Sequence, residues 1–356
     1  MTRRELNRAL LARQLLLRRA VLPVADAVEH LLGLQAQAPM PPYYGLWSRL
    51  EGFDPDVLGR MLTDREVVRL TLMRGTVHLV TVRDALLLRP LVQAAIERGH
   101  DGAFGRRMSG ARVDELVPAV REILADGPLG ARDVARRLVE RGIGDDVEAI
   151  GSAVRTYVPL VQLPPRGVWG AGGHARYATI EAWTGQELEA APSIDAVVWR
   201  YLRAFGPASV MDVQSWSGLT RLKAVMERLR PRLVTFRDED GRELFDLPDA
   251  PRPDPEVVAP VRFLGEFDNV LLGHADRRRI IPPGFSWEAM RADGRFVSNL
   301  LVDGMLGGTW WLDKREATLA IRPFGELAER DEVAEEARRM ADFAGVRDVR
   351  FEAAVG

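Results

Sequence analysis

The chain has 356 residues, is 47% hydrophobic, and sets 49 basic against 51 acidic residues for a net charge of −2. That length and apolar content suffice for a large core and for more than one domain, while the near-neutral balance argues against a nonspecific coat on nucleic acid. With no cysteine, disulfides, thiolate metal sites, iron–sulfur clusters and a Cys nucleophile are excluded. The five histidines are scattered without metal-ligand spacing, so neither a metal nor a cofactor is expected. No apolar run reaches the ~20 residues of a membrane span, and the N-terminus lacks a signal-peptide core, so a cytoplasmic protein is expected. Charge is uneven. Sixteen arginines against eleven acidic residues give +5 through residue 110, leaving −7 for the remainder.

Residues 4–20 read as a first helix, with Leu6, Leu10, Leu15, Leu16 and Leu17 as its apolar positions and arginines on its outer face. A second helix starts near Pro23, with Val24, Ala27, Val28, Leu31 and Leu32 at helical spacing. Gly33 and then Pro39-Met40-Pro41-Pro42 end it. Gln35 and Gln37 follow, with only Ala36 between them. In extended backbone, residues two apart point the same way, so both amides reach one small target. A side-chain amide is neutral, donates and accepts, and orients a water without taking its proton. The alternative is two solvated glutamines at a helix end.

Residues 43–50 form a short helix with three aromatics, Tyr43, Tyr44 and Trp47, suited either to base stacking or to the core. A helix over 55–62 leads to a strand over 67–71. Arg74-Gly75-Thr76-Val77-His78-Leu79-Val80 reads as the other half of a hairpin, with Thr76 and His78 on the face opposite Val77 and Leu79. A strong helix spans 83–98, and the glycine-rich residues 99–111 read as a linker.

Two later segments share one plan. Helices over 116–125, 131–141 and 148–157 surround the turn Gly127-Pro128-Leu129 and precede strands at 161–163 and 177–179. Helices over 194–205, 209–217 and 220–229 surround Gly206-Pro207-Ala208 and precede strands at 233–236 and 243–247. Three helices and a β-hairpin wing make a winged helix-turn-helix. Such modules serve DNA binding or protein scaffolding alike, and Arg221, Lys223, Arg228 and Arg230 fit a groove-reading third helix only partly. Beyond the rigid Ala250-Pro251-Arg252-Pro253-Asp254-Pro255 connector, strands at 297–302, 307–311 and 317–321 suggest an antiparallel unit, with a last helix over 330–344. His274-Ala275-Asp276-Arg277 reads as a tight basic turn suited to a groove or a phosphate, continued by Arg278 and Arg279. Asp268 reads as a turn or capping residue.

Four blocks, Leu-Gln-Ala-Gln-Ala-Pro, Leu-Met-Arg-Gly-Thr-Val-His-Leu-Val, Phe-Asp-Asn-Val-Leu-Leu-Gly-His-Ala-Asp-Arg and Val-Asp-Gly-Met-Leu-Gly-Gly-Thr-Trp, resemble the winged-helix DNA glycosylases of the AlkZ/YcaQ type, in that family's order, over residues 5–350. The resemblance implies a mainly α fold with β wings (α+β): tandem winged helix-turn-helix modules forming a C-shaped DNA-binding body with a C-terminal β element. It divides the chain into winged helices at 1–110, 111–190 and 191–250 and an α/β element at 251–356 with the basic hairpin. It makes Gln35-Ala36-Gln37 the catalytic Gln-Φ-Gln motif of an enzyme that excises N7-alkylated purines, including bulky adducts and interstrand crosslinks, from double-stranded DNA in the nucleoid. Arg74, Thr76, His78, His274, Arg277 and Arg278 are its expected DNA-contacting residues, and three modules in one chain suggest a monomer. A strand-cutting enzyme of this class needs an amine nucleophile. Neither Lys223 nor Lys314, the only lysines, abuts the glutamines in sequence, so a monofunctional glycosylase is expected. The competing reading is a non-catalytic winged-helix DNA binder or transcriptional regulator, which would normally dimerise on a palindrome.

Overall fold

Thr2 and Glu5 cap the first helix reciprocally: Thr2 Oγ1 accepts the Glu5 N–H at 3.2 Å, and Glu5 Oε2 accepts the Thr2 N–H at 2.6 Å. The computed structural model describes residues 1–285, 291–292, 295–296, 298–313 and 315–354, so Val297 and Lys314 lie outside the described residues. The capped helix, Arg3–Arg13, stops well short of residue 20 because Leu15 takes a left-handed φ of 58°, through which an α-helix cannot continue. Of its arginines, Arg3 and Arg4 are exposed as expected, but Arg8 and Arg13 are not on an outer face. Arg8 is buried against Asp303, and Arg13 is buried in a bidentate pair with Asp246 at 2.6 and 2.8 Å. The helix is packed from two sides, and its cations are the ties.

Strands Leu34–Gln35, Val77–Thr81, Val67–Thr71, Leu160–Gln162 and Tyr177–Thr179 form one antiparallel sheet in that order. The register places Leu34, Leu79, Arg69, Gln162 and Tyr177 on one face, and Gln35, His78, Leu70, Val161 and Ala178 on the other. Its last two strands come from the segment beyond residue 110, so the sheet is shared between two of the expected modules. The helix between them, Val82–Phe104, runs through much of the expected 99–111 linker. His100 explains this: it is buried in an otherwise exposed stretch, its ring stacking on Phe104 at 5.6 Å and meeting Tyr157 edge-on at 5.5 Å, so that the helix continues where the glycines suggest a loop.

Both repeated segments contain three helices and a hairpin. Val113–Ala125, Ala131–Glu140 and Val147–Tyr157 precede the strands at 160–162 and 177–179. Ile194–Phe205, Val210–Ser217 and Lys223–Leu229 precede the pair Val234–Arg237 and Glu243–Asp246. In each, the turn after the first helix pairs with the wing: Leu129 with Tyr177, and Ala208 with Phe245. The C-terminal sheet has the order Asp348–Phe351, Thr318–Pro323, Met305–Asp313, Ser298–Val302, Arg262–Leu264. It departs from an all-antiparallel unit, since helix Arg330–Ala344 crosses over and brings its last strand in parallel to Thr318–Pro323. No helix among the described residues is long and apolar enough to cross a membrane.

Besides Arg8–Asp303 and Arg19–Glu336, a fully buried ion pair ties the segment after strand Arg262–Leu264 to the N-terminal part. Arg49 donates to both oxygens of Asp268, at 2.7 and 2.8 Å, with both side chains buried. Asp268 also caps helix Asn269–Leu272 by accepting the Val270 N–H at 3.1 Å, in keeping with its reading as a capping residue. Asp268→Ala strands the Arg49 charge and is expected to cost about 3–5 kcal/mol in urea unfolding. The double variant Arg49→Met, Asp268→Ala should recover much of that loss. No recovery would mean that the pair's packing, not its charge, carries the effect.

Candidate active site

The glutamine strand is set by its neighbours. Helix Val24–His30 ends at Leu31, and Leu32 and Gly33 then reverse the chain with φ of 56° and 86°. A Cβ on Gly33 would run into the Val80 side chain and the Leu79 carbonyl, so only glycine lets residues 34–35 close onto strand Val77–Thr81. Asn269 holds the reversal from the other side, its Nδ2 donating to the carbonyls of Leu31 at 3.2 Å and Gly33 at 2.9 Å.

Gln35 pairs with His78 in the ladder and is 8% exposed, whereas Gln37 is exposed. Gln35 Oε1 accepts from Arg74 Nη2 at 2.9 Å, and Gln37 Oε1 accepts from the Val77 N–H at 3.1 Å. Each amide oxygen is therefore fixed by an N–H while keeping a second lone pair. No hydrogen bond among the described residues engages either NH₂ group. The two amides line one strand edge with both donor and acceptor capacity, the requirement for holding a small polar molecule such as water.

The charges beside them are positive. Arg74 sits at a left-handed φ of 57° in a tight turn, donates to the Trp216 carbonyl as well as to Gln35, and is pushed down to about 10, first by burial and then by the nearby Arg277. His78 is buried and donates Nδ1–H to the Thr76 carbonyl at 3.0 Å. Burial, then Arg74, drive it down to about 3, so the ring is neutral. Thr76 Oγ1 closes the turn on the Met73 carbonyl at 3.1 Å.

The basic turn divides. Arg277 comes close enough to Arg74 to act on it electrostatically. His274 is neither at a solvated tip nor positioned for a phosphate: it is buried, with Nε2–H on the Phe205 carbonyl at 3.0 Å and its basicity lowered first by burial and then by Arg279. Arg278 is spent in ion pairs with Asp276 and Asp240, which Arg242 also joins. Asp238, Asp240 and Asp276 come within 4.8 Å of one another, a set of oxygens able to meet a cation, but Arg242 and Arg278 already neutralise them. Lys223 is exposed at the start of its helix. Tyr43, Tyr44 and Trp47 belong to an aromatic cluster with Trp169, Trp310 and Phe343. The structure thus brings Gln35, Gln37, Arg74, His78 and Arg277 together, withdraws His274 and engages Arg278 elsewhere.

The family model of the AlkZ-like DNA glycosylases matches residues 28–343. The chain belongs to that family. It is 27% identical over 362 residues to an interstrand DNA cross-link repair glycosylase of Streptomyces sahachiroi, covering 94% of each chain. The solved structure of the Streptomyces sahachiroi DNA glycosylase AlkZ superposes with a TM-score of 0.78 at 23% identity, over 99% of this chain and 100% of that one, and so shares the fold. Membership decides between the two readings of the sequence in favour of the DNA glycosylase.

Two side chains outside the expected site residues fix backbone beside the glutamines. Asn269 clamps the turn before the glutamines, and Arg69 Nη2 donates to the Ala36 carbonyl at 2.8 Å. The signal for Arg69 was present, a lone charge inside the apolar run Val67-Val68-Arg69-Leu70.

His78 yields a pH test. Its folded value near 3 lies below its ordinary 6.5, so between the two the unfolded chain binds a proton that the folded chain refuses. Stability is expected to rise with pH through that window and to be lost on acidification below 6.5. His78→Gln should flatten the acid limb by about one proton, about 1.4 kcal/mol per pH unit, in urea unfolding across roughly pH 4–6.5. An unchanged limb contradicts a buried neutral ring.

Proposed function

We propose that this glycosylase hydrolyses the N-glycosidic bond of N7-alkylated purines in duplex DNA, acting as a monomer, and leaves an abasic site in an uncut strand. The observation that carries the reading is the anchored pair of amides, Gln35 on Arg74 and Gln37 on the Val77 N–H, at one strand edge. No carboxylate hydrogen-bonds to either amide among the described residues. That suits a substrate whose leaving group needs little help. N7 alkylation makes the purine cationic, so it departs as a neutral base without a strong general acid. The enzyme's work is to stabilise the oxocarbenium sugar and to hold a water at C1′. A water between an amide oxygen and an amide NH₂ keeps a lone pair for C1′.

Arg74 and Arg277 would oppose a cationic sugar if they faced it directly. A DNA phosphate beside the lesion resolves this, since it would meet both cations and screen them from the sugar. Arg74, whose hydrogen bonds among the described residues go to neutral oxygens at Gln35 and Trp216, is electrostatically suited to that contact.

The relative named as a cross-link repair glycosylase and the exposure of Gln37 favour an open site that takes bulky adducts and interstrand crosslinks. The aromatics nearest in sequence are packed with one another and with the C-terminal helix, so they do not form a box around a flipped base. Enlarging the N7 substituent should then cost little rate. Rejection of bulky adducts alongside fast release of N7-methylguanine would overturn the open site.

Gln35→Ala and Gln37→Ala are each expected to lower single-turnover excision by about 10²–10³, or ~2–4 kcal/mol at the transition state, with duplex affinity largely kept. Wild-type rates in both would remove the glutamines from the mechanism. Borohydride should trap no covalent protein–DNA adduct; a trapped adduct would reveal an amine nucleophile and a strand-cutting enzyme.

A further inference from the structure

Arg69 lies in the middle of strand Val67–Thr71 and is 1% exposed. Its partners in the register are Leu79 on one side and Gln162 on the other, and Leu79 in turn pairs with Leu34. Its side chain therefore occupies the sheet face opposite Gln35. From there Nη2 reaches the Ala36 carbonyl at 2.8 Å, while the Ala36 N–H donates to the Val77 carbonyl at 2.7 Å. The one residue between the two glutamines is thus pinned at both of its backbone polar groups.

This bond comes with an unusual burden. A buried guanidinium normally needs an opposite charge or a full set of acceptors. Arg8, Arg13 and Arg49 are as deeply buried, and each meets an aspartate: Asp303, Asp246 and Asp268. Arg69 forms no ion pair among the described residues, and its Nε and Nη1 have no hydrogen-bond partner. Burial pushes it down to about 10, and the next contribution is a second cation, Arg166.

The surroundings nevertheless fit closely around it. Gly167, at a φ of 99°, lets the loop after Leu163 close over the guanidinium; a Cβ there would stand 2.9 Å from Arg69 Cδ and 3.0 Å from Nη1. Tyr43 fixes that glycine by donating its hydroxyl to the Gly167 carbonyl at 2.7 Å. An apolar side chain of the same length would fill the site without stranding a charge. What it would not supply is the donor to Ala36.

We propose that Arg69 is a positioning residue for base excision, fixing the Ala36 peptide so that Gln35 and Gln37 hold their spacing along the strand edge. This rests on the reading of the two glutamines as the hydrolytic pair. Arg69 touches no substrate, being sealed on the far face of the sheet. Its effect belongs in the rate of the bond-breaking step and not in DNA affinity, because a displacement of about 1 Å at a reacting geometry costs on the order of 10²-fold.

The test compares Arg69→Met and Arg69→Lys with Gln35→Ala and Gln37→Ala on a duplex oligonucleotide carrying one N7-methylguanine. Arg69→Met is expected to lower single-turnover excision by about 10- to 100-fold. Its duplex Kd should stay within about twofold, and its Tm should stay near wild type, since removing the uncompensated buried charge offsets the lost bond to the Ala36 carbonyl. Arg69→Lys, which keeps a donor, should recover part of the rate. A wild-type rate for Arg69→Met beside impaired glutamine variants overturns this inference alone. So does a rate loss matched by a fall in Tm, because Arg69 would then be structural. Wild-type rates in both glutamine variants sink the hydrolytic reading and this inference with it.

Discussion

The buried pair of Arg49 and Asp268 is the constraint on which the candidate site depends, because it ties the segment after the C-terminal sheet's edge strand to the part of the chain that carries the glutamines. Its guanidinium also takes the Gly45 carbonyl at 2.9 Å, tying down the helix Pro41–Trp47 that follows the glutamines. Asp268 starts the short helix whose first residue, Asn269, grips the carbonyls of Leu31 and Gly33. A buried ion pair is weak evidence for net stability, but it is a demanding geometric match that few alternative packings satisfy. Here it sets the place of Asn269, which holds two backbone carbonyls, those of Leu31 and Gly33, just ahead of Gln35.

Around that anchor the charged side chains divide the labour. Arg13 pairs with Asp246 and Arg200 with Asp84, tying N-terminal helices to the last three-helix segment, and Arg252 joins Asp246 from the connector that follows. Arg242 and Arg278 are consumed by the acidic wing tip. Arg74 instead donates to the neutral oxygens of Gln35 and Trp216, and Arg277 comes close enough to act on it. They lie near one another, beside Gln35, and the field they create suits a polyanion passing the strand edge. In the proposed reaction the amides and the neutral His78 beside Gln35 bring no charge of their own, and no carboxylate among the described residues hydrogen-bonds to either amide. This is coherent for a leaving group that is already charged.

Much of this was legible in the sequence. The periodicity of Ile194–Phe205 and Arg330–Ala344 located both helices to the residue, and the Gly-Pro turns marked the repeated three-helix plan. The spacing of Gln35 and Gln37 suggested side chains sharing one direction in extended backbone, but not the strand Leu34–Gln35 that pairs with Val77–Thr81. The failures have physical causes. Periodicity treats arginine as a surface residue, so Arg8, Arg13 and Arg69 were not recognised as interior. Glycines at 99 and 102 suggested a linker because the burial of His100 is invisible without its partners. The proximity of Arg277 to Arg74, and the loss of Arg278 to Asp240, depend on segments about 200 and 40 residues apart being folded together.

The most direct measurement is the release of free base from a duplex oligonucleotide carrying a single N7-alkylguanine, by purified protein, with the strand examined before and after hot alkali. The expected result is the free alkylated base and an intact strand that alkali cuts only at the lesion. Tight binding to the duplex, or to undamaged DNA, with the alkylated base still attached after prolonged incubation would contradict hydrolysis by the glutamine pair.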